Sequence, residues 1–99
     1  METVSIELVE KELYEQKNKA WENVRRCDNA RNLYERKIAE TKAAMLGASA
    51  KDLRILQTRL EKLVTVLYEY KLELRQAKRR YGQLVKSRNN LTKQVQQTL

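Results

Sequence analysis

Few side chains in this chain are equipped for chemistry. Cys27 is the one cysteine among 99 residues and there is no histidine, so no intrachain disulfide can close. The commonest nitrogen ligand for a metal and the usual general base near neutral pH are both missing. Gly47 and Gly82 stand 35 residues apart and make no phosphate-cradling loop. These counts point away from an enzyme and away from any bound metal or cofactor. Cys27 falls on an apolar helix face with no base beside it, so it reads as a small buried hydrophobe rather than a reactive thiol.

What remains is charge. The chain carries a formal net charge of +8, unevenly placed: residues 1–48 hold nine acidic and nine basic side chains, residues 49–70 three and four, and residues 71–99 one and eight. The basic set is Lys71, Arg75, Lys78, Arg79, Arg80, Lys86, Arg88 and Lys93. Cations suit a helix C-terminus, and an antiparallel fold would set them beside Glu2, Glu7, Glu10, Glu12, Glu15 and Glu22, which is the expected arrangement. An anionic partner is the sharper alternative. The cations point in several directions around a helix and lack interleaved aromatic platforms, so nucleic acid is not the expected partner.

The elements that must carry these residues are helical. With two Gly, no Pro and no Phe, the chain lacks the turn formers of a β-rich or loop-rich fold of this size. Charged residues are 34% and apolar ones 41%, and the apolar ones are dispersed, which suits a thin seam between helices rather than a thick core. Leu53, Leu56, Leu60, Leu63, Leu67, Tyr70, Leu74, Ala77, Tyr81 and Leu84 alternate steps of three and four, a heptad seam that misses at Arg88 and resumes at Leu91 and Val95. Ile6, Val9, Leu13, Gln16, Ala20, Val24, Cys27, Ala30, Tyr34, Ile38, Thr41 and Met45 form a looser first seam.

The two seams are out of phase across residues 46–52, which favours a break there over one extended helix that dimerises in parallel. Gly47 is placed to end the first, and Ser49 with Asp52 makes an N-cap pair for the second. The expected fold is all-α, an antiparallel two-helix hairpin over residues 1–99. Helix 1 spans about 5–45, capped by Ser5 with a Val4–Val9 staple; the turn lies at about 46–50 around Leu46, Gly47 and Ser49; helix 2 covers about 50–97. Folding about residue 49 sets Met45 opposite Leu53, Ile38 opposite Leu60, Tyr34 opposite Leu63, Val24 opposite Leu74 and Leu13 opposite Leu84. Trp21 then falls near Ala77, and Arg88 near Glu10 as a partly buried ion pair.

Beyond the seams lies a second apolar set: Tyr14, Trp21, Leu33, Ile55, Val64, Val66, Tyr68 and Val85. A lone hairpin cannot cover these, and exposed apolar surface of that kind favours a helical protein partner or a second copy, completing a four-helix bundle.

The bend at Met45-Leu46-Gly47, followed by Ala48-Ser49-Ala50 and the run Leu60, Leu63, Leu67, Leu74, Ala77 and Tyr81, resembles the Trp-X-Gly (Esx-like) helical hairpins of type VII secretion. Gly47 matches that signature, Met45 stands where the family has Trp, and Val85 follows Tyr81 where the export motif has an acidic residue. The resemblance implies a non-enzymatic adaptor or targeting chaperone that binds the helices of a larger secreted protein or an Esx-like subunit. The stretch Leu74-Arg75-Gln76-Ala77-Lys78-Arg79-Arg80-Tyr81 is similar in composition to the coiled-coil stalk proteins (FliJ-like) of type III and flagellar export ATPases, a second functional reading. A basic nucleic-acid-binding coiled coil is a third.

The N-terminus is acidic where a secretory signal is basic and then apolar, and no run of about 18 apolar residues is present. The expected location is the cytoplasm, without membrane insertion, and any export would be Sec-independent.

Overall fold

The computed structural model describes residues 2–98, with side chains over 7–94, 96 and 97. The fold is an all-α helical hairpin, coiled-coil-like, of two helices: α1 over Glu2–Met45 and α2 over Ala50–Thr98. Because α1 begins at Glu2, Ser5 stands inside the helix rather than before it. The Val4–Val9 staple, Ile6, Val95 and the Glu2 side chain lie outside the described side chains.

The connection is built from ordinary backbone. Leu46 N–H donates to the Ala43 carbonyl at 3.3 Å and Ala48 N–H to the Met45 carbonyl at 3.4 Å, i to i+3 bonds that tighten the last turn of α1. Ser49 then caps α2. Its carbonyl accepts from Leu53 N–H at 2.8 Å and its Oγ from Asp52 N–H at 3.3 Å, while Asp52 places a carboxylate at the positive end of the helix dipole. Among the described residues no φ is positive, at glycine or elsewhere. Gly47 therefore ends α1 without the left-handed conformation that a glycine cap supplies. A Cβ built on it would meet nothing within 4 Å.

The chain divides into two compact units, one formed by Arg26–Leu74 and the other by Met1–Arg25 with Arg75–Leu99. The first, the turn unit, buries Cys27, Ile38, Thr41 and Leu74, with Tyr34, Met45, Leu53, Leu56, Leu60, Leu63, Leu67 and Tyr70 half-buried around them. Its seam is thin: the largest fully buried side chain among the described residues is that of Cys27, at 1% exposure. Thr41 is a polar residue tolerated on the seam because its hydroxyl donates to the Lys37 carbonyl at 2.8 Å, satisfying a group that would be costly to bury alone.

The second, the terminal unit, buries Val24, Ala77 and Leu84, with Leu13, Lys17, Ala20, Tyr81 and Leu91 half-buried. Here α1 departs from its expected seam. Gln16 and Val9 are exposed and Lys17 is half-buried, a place its long apolar stem suits.

Ring contacts within each unit fall further along α2 than level pairing about residue 49 places them. In the turn unit Tyr34 stacks on Tyr70 with centroids 5.5 Å apart, two turns past the expected Leu63. In the terminal unit Trp21 lies against Tyr81 at 5.4 Å, one turn past Ala77. The Arg88 guanidinium lies 5.7 Å from the Tyr14 ring centre, and among the described residues no ion pair joins Arg88 to Glu10. All three displacements have one sense, the sense that side-chain lean favours. Helical side chains lean toward their own N-terminus, so in an antiparallel pair the leans oppose. Long side chains therefore meet when the α2 residue lies C-terminal to the level position.

Candidate protein-binding surfaces

Among the described residues no group of three or more Cys, Asp and Glu is gathered as metal ligands would be, and the surface indentations are open and shallow, such as the groove of the turn unit between Lys37, Thr41, Leu56 and Leu63. Cys27, the one thiol, is held in its protonated form. Burial pushes its pKa up, the nearby Glu73 carboxylate adds to the rise, and Arg26 opposes it. The Sγ donates to Glu73 Oε2 at 3.8 Å. A buried thiol beside a carboxylate is a poor nucleophile at neutral pH.

The apolar candidates divide by exposure. Tyr14, Trp21, Leu33, Ile55, Val64 and Tyr68 are exposed, with Tyr68 at 63% and Trp21 at 48%, whereas Val66 and Val85 are half-buried and belong to the seam margins. Leu8, Val9, Leu46 and Leu72 join the exposed set. Leu46, at 91%, is the turn residue most open to a partner. Within the turn unit Val64, Tyr68 and Leu72 follow at i, i+4 and i+8, so they run along one side of α2. Nothing in the seam pattern marks Leu72, although its four-residue spacing from Tyr68 carries the signal.

Tyr14 and Trp21 are exposed but not idle. Each sits seven residues from the other on one side of α1 and lies against a residue of α2 in the same unit, Arg88 and Tyr81 respectively. Their outer faces are open to solvent and their inner faces help close the thin seam.

The basic part of α2 from Arg75 onward lies in the same unit as Glu7, Glu10, Glu12, Glu15 and Glu22 of α1. Arg31 pairs with Asp28 at 2.8 Å and with Glu35 at 3.6 Å. Among the described residues no ion pair involves Arg75, Lys78, Arg79, Arg80, Lys86 or Lys93. Lys71 likewise forms no ion pair, and all seven are exposed. The cations point in several directions around α2, but four of them share one side. At 100° per residue Arg75, Arg79, Lys86 and Lys93 fall on one stripe, with Lys78 at its margin and Arg80 and Arg88 on other sides.

No protein-family model matches the chain, and no curated protein and no solved structure matches it. Among the described residues no helix is long and apolar enough to cross a membrane.

Proposed function

We propose that the chain is a non-enzymatic helical adaptor that binds the helices of a partner protein. Its mechanism is completion of a helical bundle: exposed apolar side chains supply most of the affinity, and the basic part of α2 sets orientation and partner choice. The observation that carries this reading is the exposure of Tyr14, Trp21, Leu33, Ile55, Val64 and Tyr68 on helices whose largest fully buried side chain among the described residues is the small Cys27. Large apolar side chains left outside so thin a core mark a surface made to be covered.

For its setting we propose bacterial type VII secretion, in the role of a targeting chaperone acting in the cytoplasm. The resemblance to Esx-like hairpins at Met45-Leu46-Gly47 supports that setting. The test is size-exclusion chromatography with light scattering on the chain alone and co-expressed with the products of its neighbouring genes. A heterocomplex with a helical neighbour is the expected result. A chain indifferent to its neighbours but shifted by an export ATPase would replace the adaptor with a stalk protein.

A further inference from the structure

We propose that the stripe Arg75, Arg79, Gly82, Lys86 and Lys93 on α2 is the docking line for a single partner helix whose facing side is acidic, and that Gly82 is where the two helices approach most closely. The inference deepens the adaptor reading and rests on it.

Three observations carry it. The four cations lie on one side of the helix and are exposed, and none forms an ion pair among the described residues, so their charge is available to a partner. Arg79, Lys86 and Lys93 are spaced by seven residues, about 10 Å along the axis, the repeat at which flanking charges of one coiled-coil helix meet those of the next. Gly82 sits in the middle of that stripe, three residues after Arg79 and four before Lys86.

Glycine weakens a helix interior relative to alanine, and no described residue packs into the space it leaves here. A Cβ on Gly82 would meet nothing within 4 Å, so the gap serves no internal packing. A missing side chain flanked by two long cations lets a second backbone come close while Arg79 and Lys86 reach around it to carboxylates.

The width of the stripe selects a helix over a nucleic acid. Residues 75–99 carry seven cations and no acid, and Arg80 and Arg88 lie off the line. A duplex, broader than one helix, would take up cations on the line and off it alike. One helix, about 10 Å across, fits the cationic line alone. Phosphate contacts by long Arg and Lys side chains also gain nothing from a glycine gap.

The test uses the full chain and a labelled synthetic peptide of about four heptads with Leu at a and d and Glu at e and g, followed by fluorescence anisotropy at low and high salt. Controls are the same peptide with Lys for Glu, and a DNA duplex. The acidic peptide should bind, and more weakly at high salt; the Lys peptide should not. The double variant Arg79→Glu/Lys86→Glu should weaken binding about tenfold or more, while Arg80→Glu, off the stripe, should change it far less.

Gly82→Leu separates a docking line from bulk charge. It should raise the thermal midpoint of the chain and yet weaken the peptide complex, with Gly82→Ala intermediate in both. Equal losses for Arg80→Glu and the stripe variant, unchanged binding by Gly82→Leu, or a duplex bound more tightly than the acidic peptide would each overturn the proposal. A co-expressed heterocomplex that survives Arg79→Glu/Lys86→Glu would also overturn it while leaving the adaptor reading intact; only the lack of any helical partner removes both.

Discussion

Arg88 holds its guanidinium 5.7 Å from the centre of the Tyr14 ring, so the one residue that interrupts the α2 seam is accommodated by an aromatic face rather than by a carboxylate. A cation over a ring at an exposed site contributes roughly 0.5–1 kcal/mol. A double-mutant cycle on Tyr14→Leu and Arg88→Gln should give a coupling of about that size in urea unfolding. Glu10→Ala should leave the unfolding midpoint where it is; a loss comparable to that of Arg88→Gln would restore the ion pair as the better account.

Gly47 occupies a turn without positive φ and faces open space, so a methyl group there strains nothing and stiffens the unfolded chain. Gly47→Ala should raise stability by about 0.4–1 kcal/mol, read as a higher Tm with unchanged helical circular dichroism. A fall in Tm would mean that the turn visits a backbone conformation that only glycine allows.

Thr41 is buried and donates its hydroxyl to the carbonyl one turn back. Thr41→Val removes that donor and leaves the Lys37 carbonyl to the helix ladder, so apolar burial increases while no donor is orphaned. Chemical denaturation should show Thr41→Val at least as stable as the parent, whereas Thr41→Ala, which loses the γ-methyl as well, should be less stable. A Val variant weaker than the Ala variant would contradict this account.

Cys27 gives a pH signature whose sign follows from its raised pKa. The unfolded thiol ionises at its ordinary value and the folded one only above it. The native state therefore binds more protons through that window, and its stability is lost as pH rises through it. The parent should lose thermal stability above about pH 8.5 more steeply than Cys27→Ala, whatever the common contribution of Tyr and Lys titration. Parallel curves would show that Cys27 does not ionise with a penalty. Thiol reagents at neutral pH should label Cys27 only at the rate at which the hairpin opens.

The helices and the bend were legible because both depend on local pattern. All ten seam positions from Leu53 to Leu84 are buried or half-buried, since a repeat of three and four residues places side chains on one side of a helix whatever they pack against. Ser49 and Asp52 cap α2 as their spacing implies, a property of four consecutive residues. The exposed apolar set was legible for the same reason, apart from Val66 and Val85, which lie near enough to the seam to be half-covered.

The sequence by itself determined that this chain is helical, where it turns, which side of each helix is apolar and where its positive charge lies, because composition, capping chemistry and helical period act within a few residues. The tertiary structure alone decided the axial match of the two helices: Tyr34 on Tyr70, Trp21 on Tyr81, Arg88 over Tyr14, and Lys17 on the seam in place of Gln16. Periodicity sets a direction around a helix but no height along it. In an antiparallel pair the opposed lean of long side chains favours contacts displaced from the level position.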